Sequence, residues 1–282
     1  MVKVIRSGFY STIQDFGRVC FQQFGVPYSG VMDRYSASIS NAILGNKKDA
    51  AVIEMTMTGA TLQFYCATNI CVSGANMSPM LNLNTISLNK SITVKSGDIL
   101  SFGKLNNGFR CYLAISGGFK SQTVMNSQSM FKGITTCYKI NKNNELSIIN
   151  SSSKEMKHAS VRVNNQHLFS EYIEVFKGPE FDQLSNLQIE KLVTSKFTIS
   201  KDNNRMAYQL KEILENSLKP IITSPVIHGT VQLTPSGKLI VLMRDCQTTG
   251  GYPRVLQLKE SSIDVLAQKF ANQNISFELI DY

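Results

Sequence analysis

Short apolar runs with polar breaks between them dominate this chain and constrain its fold more than any other feature. Residues 2–5, 61–64, 69–73, 91–94, 99–102 and 110–116 read as strands in the first half. Residues 173–176, 197–200, 229–233, 238–243, 255–258 and 275–279 do so in the second. Helical stretches are few: residues 34–44, about 180–194, and 261–270. Many short strands separated by turn signals solve their edge problem by closing, fully or nearly, into barrels. A polar stretch over residues 141–170 contains Asn141-Lys142-Asn143-Asn144 and Ser151-Ser152-Ser153-Lys154, and sets a boundary near 150. The expectation is a mainly β chain with two barrel-like lobes, 1–150 and 151–282, and a few short helices.

Composition excludes several classes. With 43% hydrophobic and 17% charged residues, 282 residues suffice for two real cores. The net charge of +9 is scattered, with no basic run longer than Lys47-Lys48 and no interleaved aromatics. That argues against nucleic acid as a partner. No apolar run approaches a membrane span, and residues 1–8 open as a strand rather than a signal peptide. No membrane partner and a cytoplasmic location are therefore expected. Of six cysteines, Cys66, Cys71 and Cys111 lie in apolar runs and read as small buried hydrophobes in a reducing compartment. His158, His167 and His228 lack metal-ligand spacing, so no metal is expected. His228 precedes Gly229 and reads as structural. No phosphate-cradling Gly-x-x-x-x-Gly-Lys-Ser/Thr loop occurs.

Two segments gather polar groups beside glycines. Asp245-Cys246-Gln247-Thr248-Thr249-Gly250-Gly251-Tyr252-Pro253 follows the apolar run 238–243. Polar groups at the end of a rigid strand can hold a small polar molecule, and a glycine pair lets the backbone come close to it. A tight turn needing only Gly and Pro is the plainer reading. The other cluster holds Gln14, Asp15, Arg18, Ser29 and Asp33. There Asp33 stands where a helix N-cap belongs and Gly45 where a left-handed C′ residue belongs. Glu54, an acid within an apolar run, requires a partner such as Arg18.

These blocks occur in a fixed order. Gln14-Asp-x-Gly-Arg18, Gly25-Val-Pro-x-Ser-Gly30, Met32-Asp33, Asn41-x-x-x-Gly-Asn46 and Glu54-x-Thr56 precede Gly59, Ser73-Gly-Ala-Asn76 and Gly97-Asp98. Residues 112–119, Gly178-Pro179, Asp182, Arg205-Met206, Gly229-x-Val-Gln232 and the loop 245–253 follow. The chain resembles the biotin-dependent carboxyltransferase subdomain A and B family, which includes allophanate hydrolase subunit 2 and the C subunit of 5-oxoprolinase. The resemblance runs through almost the whole chain and implies cyclophilin-like barrels. It departs at Asn203-Asn204-Arg205-Met206-Ala207, where the family commonly has Ser-Asp-Arg-Met-Gly. It departs again at Pro225 and over residues 120–134, so either altered substrate contacts or the lost activity of a divergent paralogue is expected.

The resemblance implies a subunit of a 5-oxoprolinase-type complex, which opens 5-oxoproline to glutamate with ATP. The alternative is biotin-dependent carboxyl transfer to urea or a similar small acceptor. A third role is non-catalytic and regulatory, since related pairs are associated with control of a sporulation kinase. The partner implied is a subdomain C and D protein, of the type of allophanate hydrolase subunit 1 or the B subunit of 5-oxoprolinase. A lactam-hydrolysing subunit would join it. ATP would be used by the complex. No covalent cofactor is expected, because no biotin-attachment tetrapeptide occurs and biotin would ride on a separate carrier.

Such chemistry needs reactants held together with water excluded, and donors aimed at developing oxyanions. Arg18 and Arg205 can hold carboxylates, while Arg244, at a strand end, would point outward. Gln14, Asn76, Gln232 and Gln247 can read an amide or ureido edge. Asp15, Asp33 and Asp245 can accept N–H groups or orient an arginine. Ser29 completes the first cluster. Thr248, Thr249, Gly250 and Gly251 can form an anion-holding backbone loop, and Tyr252 can cover an apolar face. The blocks around Arg18 and Gln247 are expected to wall one cleft. No nucleophile–base pair stands out, so catalytic residues stay unassigned.

Overall fold

A computed structural model describes residues 1–149 and 161–281. The segment 150–160, with residues 151–154 and His158, lies outside the described residues. The chain divides into two compact units: Met1–Arg18 with Ser29–Leu168, and Val19–Tyr28 with Phe169–Tyr282. The main crossing thus falls after Leu168, while the sequence reading places a boundary near 150.

In the N-terminal unit two sheets enclose one core. Five strands, in the order Tyr10–Gln14, Val52–Thr56, Asn107–Ile115, Thr68–Asn76 and Ile92–Val94, make one sheet. A seven-stranded sheet, centred on Val2–Arg6 and Thr61–Phe64, makes the other. Between them lie Val4, Ile13, Ile53, Leu62, Phe64, Val72, Leu100 and Leu113, all buried. Burial alternates on Thr61–Phe64, as a period-2 pattern requires. On Val52–Thr56 every residue is buried, because the outer face of that strand is covered too.

Helix α1 (Arg34–Ile43) follows from its ends. Asp33 accepts the Ser36 amide at 2.8 Å as N-cap, and Gly45 sits just past the end at φ +67°. Its buried face is small and polar, Ser36, Ala37, Ser40 and Asn41, so the helix can approach its neighbours closely. Ser73 Oγ donates to Ser36 O at 2.7 Å, and Asn41 Nδ2 donates to Ala50 O at 2.8 Å. Asn46 Nδ2 donates to Ile115 O, and Asn46 Oδ1 accepts from Gly117 N, each at 2.8 Å. The Asn41 to Asn46 block is therefore a clamp on the helix end.

In the C-terminal unit seven strands close into a barrel, in the order Tyr172–Lys177, Arg254–Leu258, Thr230–Leu233, Lys238–Leu242, Ala207–Ile213, Phe197–Asn203 and Asn274–Leu279. The seam joins Tyr172–Lys177 to Asn274–Leu279 in parallel. Alternating burial puts Ile173 and Val175, Tyr208 and Leu210, and Leu239 and Val241 inside. Helix α2 (Asn186–Thr194) starts with a capping box between Ser185 and Gln188. Helix α3 (Glu260–Ala267) covers one side with Ile263 and Leu266. Gly178 is required by close approach: a Cβ there would lie 2.1 Å from Arg254 O.

The mainly β, two-lobed expectation holds. No helix among the described residues is long and apolar enough to cross a membrane. Cys71 and Cys111 are buried as expected, and burial pushes the Cys71 thiol up to about 12. Cys66 is half-exposed instead. Arg244 does not point outward. It is fully buried and donates to Glu260 Oε1 at 2.7 Å. Burial of a guanidinium without a carboxylate would be prohibitive, and Glu260 from α3 meets that need.

Candidate functional site

The polar block at Gln14–Arg18 is absorbed into the N-terminal scaffold. Gln14 ends its strand and donates to Thr12 Oγ1 and Met130 O, each at 3.0 Å. Asp15 accepts from Gly17 N, Ser127 Oγ, Ser129 Oγ and Gln128 N at 2.6–2.8 Å. Four donors fill the sites that a carboxylate offers. Arg18 is fully buried and donates to Ser129 O at 2.6 Å. Together these groups fasten the segment 127–130 along the strand Tyr10–Gln14. Ser29 is buried at φ +60°, and its hydroxyl has no hydrogen-bond partner among the described residues.

A second buried network surrounds Asp33 and Glu54. Glu54 Oε2 accepts from Met32 N at 2.7 Å and from the Tyr112 hydroxyl at 2.9 Å. Its Oε1 lies 3.9 Å from Arg110 Nε, so Arg110 is a charged partner that the sequence reading did not name. Asp33 N donates to the Tyr112 hydroxyl at 2.8 Å. Burial alone would raise the Asp33 carboxyl. Hydrogen bonds from His167 and Ser36, with the charge of His167, outweigh it and hold the carboxyl below its ordinary value. Burial, then the charges of Glu54 and Asp33, push the Tyr112 hydroxyl well up, so it remains a neutral donor. His167, in the polar stretch 141–170, is a fixed partner of Asp33 at 3.0 Å. Asn76 makes a local turn, accepting from Ser78 N at 2.9 Å.

Arg34, in the first turn of α1, is half-buried. It donates to Phe16 O at 3.1 Å and lies over the Phe16 ring. Phe16 draws it in, because a guanidinium can stack on an aromatic face.

In the C-terminal unit the loop 245–253 arches from the barrel rim. Arg205 grips Asp245 with a two-pronged fork, Nε to Oδ2 at 2.8 Å and Nη2 to Oδ1 at 2.9 Å. Thr249–Gly250 pairs with Ser224–Pro225, and Ile221 N and Val226 N donate to Gly251 O and Thr248 O. This two-stranded ribbon fixes Thr248, Gly250 and Gly251. Burial, then the Asp245 charge, push the Cys246 thiol up to about 12, so this cysteine stays neutral. His228 lies 3.5 Å from Glu260 and edge-on to the Tyr28 ring, a structural setting.

Beneath the loop is an open cleft of about 500 Å³. Its floor is the outer face of the barrel, where Gln209 pairs with Ile240 and Ile240 with Gln232 across three strands. Gln247 and Tyr252 make one wall and residues 201–204 another. Three sequence candidates, Gln232, Gln247 and Tyr252, therefore meet here. Gln232 Nε2 makes a long contact, 3.5 Å, to Tyr252 O. Gln247 Oε1 is buried and has no donor among the described residues. Gly250 has a spatial reason, since a Cβ there would lie 2.5 Å from Gln232 Nε2.

The sequence reading missed Gln209 and Lys201. The alternation of Tyr208 and Leu210 inward against Ala207 and Gln209 outward was the available signal for the first. The two sequence blocks belong to different units, Gln14–Arg18 to the N-terminal and Gln247–Tyr252 to the C-terminal.

Comparison with known proteins agrees with this fold. The family model of the carboxyltransferase domain, subdomain A and B, matches residues 24–279. The C subunit of 5-oxoprolinase from Escherichia coli (strain K12) is 31% identical over 283 residues, 98% of this chain and 90% of that protein. The urea amidolyase of Lachancea kluyveri is 43% identical over 130 residues, 46% of this chain but 7% of that protein. The crystal structure of the K. lactis urea amidolyase matches 99% of this chain at a TM-score of 0.87 and 25% identity. This chain spans only 19% of that structure. With a family model matched from residue 24 to residue 279 and a relative aligned over nearly its full length, the chain belongs to the carboxyltransferase domain, subdomain A and B, family.

Proposed function

We propose that the chain is one component of a 5-oxoprolinase-type assembly, which opens the lactam of 5-oxoproline to glutamate with ATP and requires a subdomain C and D partner. One observation carries the reading: the buried acceptor Gln247 Oε1, without a donor among the described residues, in the wall of the barrel cleft. A buried acceptor left unpaired costs roughly 1–3 kcal/mol, which a ligand N–H placed there would recover. A lactam offers one N–H, one carbonyl oxygen and a flat apolar ring. Gln247 accepts the first, Gln232 Nε2 donates to the second, and Tyr252 covers the third. Arg205 and Asp245 hold the loop that carries these groups. The nearly full-length relative from 5-oxoprolinase supports the choice of lactam.

The cleft binds and orients. Its lining holds no nucleophile paired with a base, so the ATP-dependent step falls to other subunits. The test is ATP-dependent release of glutamate from 5-oxoproline, by the purified chain and by the chain with its partners. Release is expected only from the assembly. Full turnover by the chain alone, or none by the assembly, overturns the proposal.

The likeness to urea amidolyases favours a second reading, carboxyl transfer between biotin on a separate carrier and a urea-like acceptor. The same carboxamides would read a ureido edge. Carboxylation of urea by an assembly that leaves 5-oxoproline intact would select it. An assembly that forms but turns over neither substrate would select the regulatory role.

A further inference from the structure

The proposed cleft has a feature that the lactam reading does not use. Its walls carry one cation, Lys201, beside one anion, Asp202. The arginines that sequence would offer to a substrate carboxylate are engaged. Arg205 is forked onto Asp245, Arg244 is held by Glu260 at 2.7 Å, and Arg254 is held by Glu180 at 2.8 Å. Lys201 is exposed and has no hydrogen-bond or ion-pair partner among the described residues.

Its placement comes from an irregularity in the barrel. Ile199 pairs with Leu210 and Asn203 with Tyr208, so four steps along one strand face two on its partner. Between those pairs Ser200, Lys201 and Asp202 face a single residue, so this segment bulges out of the ladder. A bulge re-aims side chains that a regular strand would alternate between faces. Here it puts both charges into the wall of the same cleft that holds Gln247 and Tyr252.

We propose that Lys201 is the carboxylate reader of this cleft and that, with Gln247 accepting the ligand N–H, it selects small lactams that carry a carboxylate over neutral ones. The inference rests on the cleft being the ligand site proposed above. Lys201 Nζ pairs with the carboxylate, and Asp202 weakens that pairing by facing the same anion. A partly exposed pair of this kind is worth about two- to fivefold in affinity.

The test is titration of the purified chain with 5-oxoproline and with its neutral carboxamide, followed by calorimetry and by the side-chain amide resonances of Gln247. The wild-type chain is expected to prefer 5-oxoproline. Lys201→Gln is expected to lose that preference, binding 5-oxoproline about two- to fivefold more weakly and the carboxamide unchanged. Asp202→Asn is expected to tighten 5-oxoproline alone. Gln247→Leu is expected to weaken both ligands by about tenfold. Thermal unfolding checks that each variant is folded. If Lys201→Gln keeps wild-type preference while Gln247→Leu weakens both ligands, Lys201 is not the reader and the cleft stands. If Gln247→Leu also changes nothing, or the wild-type chain binds neither ligand, the cleft reading fails as well.

Discussion

Asp15 and Gln247 occupy similar settings and differ in one respect. Both lie in glycine-punctuated segments just after a strand, one in each unit, and both are polar groups withdrawn from water. Asp15 accepts four hydrogen bonds from its own unit, and Gln247 Oε1 accepts none among the described residues. Saturation separates these two groups. A carboxylate whose lone pairs are filled by the chain holds the fold together, whereas a buried acceptor left open calls for an explanation, which the proposed ligand supplies.

The sharpest break of this comparison should come from the more deeply buried carboxylate, Glu54. Glu54→Ala removes a buried charged partner of Arg110 and the acceptor of the Met32 amide and of the Tyr112 hydroxyl proton. It is expected to cost about 3–5 kcal/mol in urea unfolding. Asp15→Ala should cost about 2–3 kcal/mol, because hydrogen bonds to a charged acceptor are lost together. In both variants, wherever the protein is still folded, affinity at the C-terminal cleft should be unchanged. A loss of affinity without a loss of stability would return Asp15 to the site.

Arg205→Ala should cost about 1.5–3 kcal/mol, read as loop stability and as a roughly tenfold or greater loss of assembly activity. Arg205→Lys should restore only part of it, since an ammonium cannot reproduce the fork. Arg34→Ala, which removes a contact with Phe16, should cost about 0.5–1 kcal/mol and leave activity intact. Equal activity of Arg205→Ala and wild type would detach the fork from function.

Acid should act on the N-terminal unit through Asp33. Its folded carboxyl lies below the ordinary 3.8, so it binds its proton less readily folded than unfolded. Its contribution to stability is therefore complete above 3.8 and lost as pH falls below that value. The stability gap between wild type and Asp33→Asn should close only in that acid window, as measured by unfolding at stepped pH. The smallest effect is expected from Gly250→Ala. Its new Cβ displaces the flexible end of Gln232, so stability should change by about 0.5 kcal/mol or less while cleft affinity falls.

Much of the fold was legible because its local signals agree. Residues 61–64 alternate cleanly, and both they and the apolar run 99–102 are strands at those bounds. Asp33 and Gly45 mark the ends of α1 as their chemistry requires. Three of the strands that went unread show why. Tyr10–Gln14 carries Ser11, Thr12 and Gln14 into the interior, and Val52–Thr56 buries Glu54. Polar residues inside a doubly covered strand erase the apolar pattern. Ala207–Ile213 was hidden by Gln209 and Lys211 on its outer face.

The candidate site was partly legible for a related reason. Gln232, Gln247 and Tyr252 stand in or beside a loop that announces itself. Lys201 is placed by a bulge, which no residue type signals. The partners of Asp15, Ser127 and Ser129, lie more than a hundred residues away in sequence, and nothing local marks them.

The parallel seam of the barrel sets an order of events during synthesis. The strand Asn274–Leu279 is hydrogen-bonded on one side to Tyr172–Lys177 and on the other to Phe197–Asn203. The ring has no closed form until that strand has left the ribosome. The described sheets of the N-terminal unit need nothing beyond Ile148 to complete their pairing. At roughly 5–20 residues per second, several seconds or more separate the two moments. Throughout that interval Tyr172–Lys177 offers a bare edge on the side where Asn274–Leu279 will dock, and a nascent chain in that state is a natural client for chaperones that shield unpaired strands.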